Sequence, residues 1–300
     1  MALDPQSWWL QLLAGLLVAA GLGWLFVAWL RWRLKPAQMS QDMFLDSASA
    51  GIKLETHRIP TRNGRTLHAR WLPQAGPEPI GIALLMHGWG GNGGQLWPAA
   101  RALHADGWAV LLPDARSHGG SDPDSHSSLP RFVEDIEACC AWLRTGGVCL
   151  GTAPLVLLGH SLGAAAALVF ASGRSDVSAV VSVSAFAHPE QVMRRWLADH
   201  HIPFWPLGWL INRYIEQVIG HRFEAIAPVN RIGLIQCPVL LLHGDQDGMV
   251  PLDCARQLAS AARQATLWTW LGTHEKFEDE ALLYQNVTTW LRHATDPHEN

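Results

Sequence analysis

Three hundred residues, 49% apolar and 16% charged, make one large domain or two average ones and exclude a disordered chain, which would be poor in apolar residues and rich in charge. The 22 basic residues face 26 acidic ones, a net charge of −4, so there is no basic excess to meet nucleic-acid phosphates. The five cysteines (Cys139, Cys140, Cys149, Cys237, Cys254) form no CxxC pair and have no zinc-ligand spacing. Buried reduced thiols are expected, and a disulfide in an oxidising compartment stays open.

From Pro5 to Leu30 there is no charged residue, and Trp8–Leu30 holds one polar side chain, Gln11. As a helix this stretch is about 34 Å long at ~1.5 Å per residue, enough to cross a hydrocarbon core of ~30 Å. Trp8 and Trp9 stand at one end and Trp29 and Trp32 at the other, where indoles favour a membrane–water boundary. A cleaved signal peptide would start with basic residues, but Met1–Ser7 carries Asp4 and neither Lys nor Arg. A buried core helix at this position would have little to pack on. The expectation is a single-pass anchor over residues 1–35. Arg31, Arg33 and Lys35 follow the span, so the remainder of the chain is expected in the cytoplasm. Residues 36–50 read as a juxtamembrane connector.

From Gly51 apolar runs alternate with helical patterns. Strands are expected at Thr56–Pro60 and Thr66–Leu72, joined by an Asn63-Gly64 turn, and at Ile80–Met86, followed by a Gly-rich loop, His87–Gly94. A helix over Gln95–Asp106 precedes a strand at Trp108–Leu112, and a helix over Leu129–Arg144 precedes a strand at Leu155–Leu158. Ala164–Ala171 reads as a helix and Val177–Val183 as a strand. After an interruption come a strand at Val239–Leu242, a helix at Leu252–Ala262, a strand at Thr266–Leu271 and a helix at Ala281–His293. Apolar strands alternating with helices predict an α/β fold, a mostly parallel sheet with helices on both faces. The interruption, about 186–223, is rich in Trp, Arg, His and Pro and reads as a helical lid inserted in a domain spanning 51–295.

The strongest local signal is Gly159-His160-Ser161-Leu162-Gly163, directly after one expected strand and before an Ala-rich helix. This is the G-x-S-x-G nucleophile elbow in its strand–turn–helix context, with Ser161 lifted clear of the backbone. A serine needs a base oriented by an acid, and in this arrangement the order is Ser, then Asp or Glu, then His. Both partners follow at strand ends: His243-Gly244-Asp245-Gln246-Asp247-Gly248-Met249-Val250-Pro251, and Gly272-Thr273-His274-Glu275.

From about Gly51 to His293 the chain resembles the α/β-hydrolase superfamily, most closely its membrane-anchored, esterase- or lysophospholipase-like members. The superfamily's H-G-x-x-D-x-x-V-P pattern aligns His243, Gly244, Asp247, Val250 and Pro251, selecting Asp247 as the acid, with Asp245 the competitor. His274 matches its G-x-H. His87-Gly88-Trp89-Gly90-Gly91 resembles its H-G-x-G loop, so the resemblance implies an oxyanion hole from the backbone N–H groups of Trp89 and Leu162. A P-loop is excluded, since no Lys-Ser/Thr follows the glycines. Asp114-Ala115-Arg116-Ser117-His118-Gly119-Gly120-Ser121 resembles the D-x-R-x-H-G-x-S stretch, in which Asp114, Arg116 and His118 would be structural. Ser117 departs from the Gly of many members.

The resemblance implies a serine hydrolase cleaving a carboxylic ester, with Ser161, His274 and Asp247 as nucleophile, base and acid, and with no metal or organic cofactor. A peptidase or thioesterase of the same fold stays open, as does a non-catalytic membrane-tethered binding protein. Phe186, Trp196, Phe204, Trp205 and Trp209 beside Arg194 and Arg195 leave two possibilities: an ordinary packed lid, or an apolar roof for the acyl chain of a lipid-like ester. The expected partners are that small-molecule or lipid-like substrate and the membrane, with no nucleic acid. Oligomeric state is not readable from the sequence.

Overall fold

The computed structural model describes residues 5–33, 51–74, 79–145 and 153–296. The expected connector 36–50, Lys35 and Cys149 lie outside the described residues, as do the side chains of Arg31 and Arg33. The chain divides into two units, Met1–Ala37 and Gln38–Asn300.

The described residues of the first unit form one helix, α1 (Pro5–Arg33), rich in the strong helix formers Leu and Ala. Its 22 residues Trp8–Trp29 are long and apolar enough to cross a membrane.

The second unit is built on eight strands: β1 (Glu55–Pro60), β2 (Thr66–Leu72), β3 (Gly81–Met86), β4 (Trp108–Pro113), β5 (Leu155–His160), β6 (Ala179–Val183), β7 (Val239–Gly244) and β8 (Ala265–Trp270). They lie in one sheet in the order β1-β2-β4-β3-β5-β6-β7-β8. β2 runs antiparallel to both β1 and β4, and the other pairs are parallel. Asn63 and Gly64, at φ 60° and 63°, make the turn between β1 and β2, where glycine and asparagine tolerate the left-handed region.

Every residue of β3 to β7 is buried, because helices cover both faces of the sheet. Alternate side chains point to opposite faces. Ile82, Leu84, Leu155 and Leu157 pack against α3 (Leu129–Thr145), α4 (Leu162–Ala171) and α9 (Leu252–Ala261), whereas Ala83, Leu85, Val156 and Leu158 pack against α2 (Trp97–Ala105) and α10 (Glu280–Thr295). One sequence expectation shifts here. Gln95 lies not in the α-helix but in a 3₁₀ turn, Gly93–Leu96, because the Asn92 side chain caps it by accepting the Gly94 N–H and Pro98 starts the α-helix afresh.

The segment between β6 and β7 holds α5 (Pro189–Asp199) and α6 (Trp209–Ile219), then two single-turn helices, α7 (Phe223–Ile226) and α8 (Pro228–Arg231). Its aromatics do not form one roof. Phe186, just past β6, is buried in the core; Trp196 stacks on His200 with ring centroids 4.3 Å apart; and the Arg194 guanidinium lies 3.4 Å from the Phe204 ring centre. Trp205 packs beside Trp209 yet remains 72% exposed. The loops after the carboxyl ends of β3, β5, β7 and β8 lie against one another, on the side of an open α/β sheet where ligands bind.

Candidate active site

Ser161 sits between β5 and α4 at φ 52°, ψ −114°, outside the comfortable regions for an L-residue. Such a conformation costs about 1–3 kcal/mol and persists only when its surroundings over-determine it. Here the Ser161 N–H donates to Val183 O at 2.8 Å and Ser161 O accepts the Ala165 N–H at 3.0 Å. The two flanking glycines are required by space. A Cβ on Gly159 would lie 2.4 Å from Gly163 O, and one on Gly163 would lie 2.2 Å from Met86 O. Strand, helix and neighbouring strand therefore meet backbone to backbone at the turn. The Gly88 backbone lies against it as well, since a Cβ there would be 3.2 Å from Ser161 Cβ.

The loops after β7 and β8 bring an acid to a base. His274 Nδ1–H donates to Asp247 Oδ2 at 2.7 Å, and both side chains are buried. Asp247 Oδ1 accepts the N–H groups of Met249 at 2.8 Å and Val250 at 2.7 Å. Burial works against the carboxylate, but the His274 bond and these N–H groups outweigh it and hold its pKa below the usual range. Asp245 instead accepts the Gly272 N–H at 3.1 Å, tying the two loops together. His243 is buried and its Nε2 donates to Val250 O at 2.9 Å, shaping the Asp247 loop. No hydrogen bond joins Ser161 to His274 among the described residues; bonds of this kind are often long until substrate is present.

The Trp89 and Leu162 N–H groups make no hydrogen bond among the described residues. Leu162 is the first residue of α4, so its N–H has no carbonyl four residues back within the helix. The loop after β3 is anchored from below. Ala115 N–H donates to His87 Nε2 at 2.9 Å, so His87 Nδ1 carries the proton and donates to Gly88 O at 2.7 Å. Asp114 accepts the N–H groups of Gly93 at 2.7 Å and Gly120 at 2.8 Å. Burial opposes its charge, but these bonds and His68 hold its pKa down to about 2. Arg116 Nε donates to buried Asp135 at 2.6 Å, and His118 packs edge-on against Phe132. All three of Asp114, Arg116 and His118 thus brace loops. Ser117 sits at φ 65°, a left-handed conformation that glycine adopts without strain.

Two residues here carry no signal in the sequence. Gln95 Oε1 accepts the Gly88 N–H at 2.8 Å, while its Nε2 lies 3.1 Å from His160 Nδ1 and 2.8 Å from Glu275 Oε2. His160 Nε2 in turn meets His274 O at 2.7 Å. Gln95 and Glu275 belong to no motif, and only the folded chain brings them together. Among the described residues, His160, His274 and Glu275 could each bring a metal-ligating atom within 4.8 Å of the others, but the Gln95 amide nitrogen already bridges His160 and Glu275.

Burial, then the neighbouring His118, lower the pKa of His87 to about 4. An unfolded histidine takes a proton near pH 6.5, so stability is fully present above that pH and is lost as pH falls toward about 4. Measured as urea midpoints, the advantage of the wild type over His87→Asn should be constant above pH 6.5 and shrink by on the order of 3 kcal/mol by pH 4. An advantage independent of pH would contradict the neutral buried ring.

A family model described as serine aminopeptidase, S33, matches residues 77–222. The chain is 28% identical over 160 residues to the protein YqkD of Bacillus subtilis, covering 52% of this chain and 52% of that one. It thus spans about half the length of that relative. It is 27% identical over 266 residues to a monoacylglycerol lipase of Mycolicibacterium smegmatis, 76% of this chain and 92% of that one. An esterase of Pyrococcus furiosus superposes with a TM-score of 0.70 at 17% identity, over 88% of this chain and 98% of that one. With its sheet order, its elbow and these similarities, the chain has the α/β-hydrolase fold and is similar to proteins named as esterases and lipases.

Proposed function

We propose that the chain hydrolyses carboxylic esters through an acyl-enzyme on Ser161. The observation that carries this is the 2.7 Å bond from His274 to buried Asp247, held at the strand ends beside the Ser161 elbow. In this reading Ser161 Oγ attacks the carbonyl carbon while His274 Nε2 takes its proton. Asp247 keeps the Nδ1–H tautomer and stabilises the imidazolium. The N–H groups of Trp89 and Leu162 bind the oxyanion, a contribution of about 3–4 kcal/mol each when such a donor is removed. His274 then returns the proton to the leaving alcohol, and water releases the acid by the same steps. Peptide hydrolysis is the second reading, supported by the name of the matching family model.

An apolar, lipid-like ester fits this chain best. A cleft of about 260 Å³ lies between α5 and the start of α9, lined by the apolar Phe186, Val192, Met249 and Val250 and by the polar Gln191, Arg195, Asp253 and Gln257; Ser161 and His274 are not among its lining residues. A relative named as a monoacylglycerol lipase points the same way. The 186–223 segment acts as a lid over this cleft. α1 anchors the chain in a bilayer, where amphiphilic esters concentrate, and the basic residues 31, 33 and 35 place the hydrolase unit on the cytoplasmic side.

Ser161→Ala and His274→Ala should each abolish hydrolysis of a p-nitrophenyl ester, and Asp247→Asn should lower kcat/KM by about 10⁴. Asp245→Asn should cost far less. Turnover that survives Ser161→Ala, or an equal ranking of the two aspartates, would refute the assignment. Because each buried methylene contributes ~0.8 kcal/mol, kcat/KM should rise from acetate to octanoate, and a steady fall would remove the acyl cleft. Activity on an aminoacyl p-nitroanilide exceeding that on every ester would favour the peptidase reading. A C-terminal alkaline phosphatase fusion should be inactive in a bacterial host; an active fusion would reverse the orientation.

A further inference from the structure

Among the polar side chains lining the site, His160, Gln95 and Glu275 have no part in the proton transfers above. Two backbone groups nevertheless determine every donor and acceptor among them. The Gly88 N–H can only donate, so the Gln95 atom 2.8 Å away is its oxygen, and the amide nitrogen faces the other way. The His274 carbonyl can only accept, so His160 Nε2, 2.7 Å from it, carries the proton. Burial, and then the neighbouring His274, lower the pKa of His160, so Nδ1 stays bare and accepts from Gln95 Nε2 at 3.1 Å. The second amide hydrogen of Gln95 goes to Glu275 Oε2 at 2.8 Å. One unbroken chain of hydrogen bonds therefore runs from the loop after β3, through the residue preceding Ser161, to the backbone of the loop after β8.

We propose that Gln95 and His160 are positioning residues, which together set the distance between the Gly88 backbone and the His274 backbone across the Ser161 elbow. The proposal rests on the reading of Ser161 and His274 given above. It has two consequences. The Gly88 N–H is occupied by Gln95, which leaves the next N–H, that of Trp89, to face an oxyanion. His274 is held twice: its ring by Asp247 and its carbonyl by His160. Displacing reacting groups by about 1 Å costs on the order of 100-fold in rate, so a chain that spans the site acts on kcat.

The test uses the full chain in detergent with p-nitrophenyl butyrate. Gln95→Met should lower kcat about 10- to 100-fold with KM within about twofold and the unfolding midpoint nearly unchanged. His160→Leu should be similarly impaired. His160→Gln, whose amide nitrogen can still donate to the His274 carbonyl, should recover most of that loss. The Gln95→Met/His160→Leu pair should be no worse than the poorer single variant, because both break one chain. A Gln95→Met enzyme with wild-type kcat, or losses that add in the pair, would overturn the proposal. If Gln95→Met fails to fold, Gln95→Glu replaces it. That variant keeps an oxygen for Gly88 but turns another toward bare His160 Nδ1 and toward Glu275, with His274 and Asp247 the other ionisable neighbours. It should lose kcat, and more so as pH rises and the new carboxylate ionises; an unchanged kcat refutes the proposal. Ser161→Ala is run alongside. If it is inactive while the Gln95 variants are normal, only the positioning role falls; if it is active, the underlying mechanism falls with it.

Discussion

The site depends on a close approach of backbones. The end of β5, the first turn of α4 and the carbonyls closing β3 meet with no room for a side chain at Gly159 or Gly163. That contact forces Ser161 into its strained turn, which presents the hydroxyl at the mouth of the sheet and leaves the first N–H of α4 beside it. A methyl group at either glycine would push helix from strand and undo the geometry on both sides. Every other part of the candidate site is arranged around a point that the backbone alone defines.

Neutral buried histidines and ionised buried aspartates do the bracing. His87 links the loop after β3 to Ala115, and Asp114 gathers N–H groups from Gly93 and Gly120, so the loops after β3 and β4 are tied to each other. Asp247 and His243 do the same for the loop after β7. His87, Asp114 and Asp247 are buried with their hydrogen bonds made, which lets burial stiffen the loop rather than destabilise it, whereas His243 is bonded through Nε2 alone. The loops at the strand ends are thereby tied down, whereas the segment 186–223 keeps large apolar side chains such as Trp205 and Leu210 in solvent.

That contrast separates two tasks. The loops at the strand ends hold the candidate site, and their bracing residues are buried and bonded to backbone. The segment 186–223 supplies apolar surface, and its aromatics are split between internal stacking and exposure. An insertion so composed offers apolar area rather than directed bonds to whatever it meets, which is why the proposed substrate is apolar.

Pattern was enough to read the eight strands and the five α-helices described in the hydrolase unit outside 186–231, because fully buried parallel strands are apolar throughout and most sheet-covering helices are amphipathic, whereas the individual helices of 189–231 were not legible. The motif G-x-S-x-G and the H-G-x-x-D register were legible because each is a local backbone demand, and the register picked out Asp247, the aspartate that bonds His274, over Asp245, which bonds Gly272. Charge-free length identified α1 as long enough to span a membrane. What the linear pattern could not contain was any pairing made across the sheet. Phe186 joined the core because it leaves β6 pointing inward, Gln95 left its helix because Asn92 caps a 3₁₀ turn, and Gln95 reached Glu275, 180 positions away, because loops after different strands lie against one another. Local backbone geometry is written in neighbouring residues; a hydrogen bond between distant loops exists only once the sheet order has put their ends together.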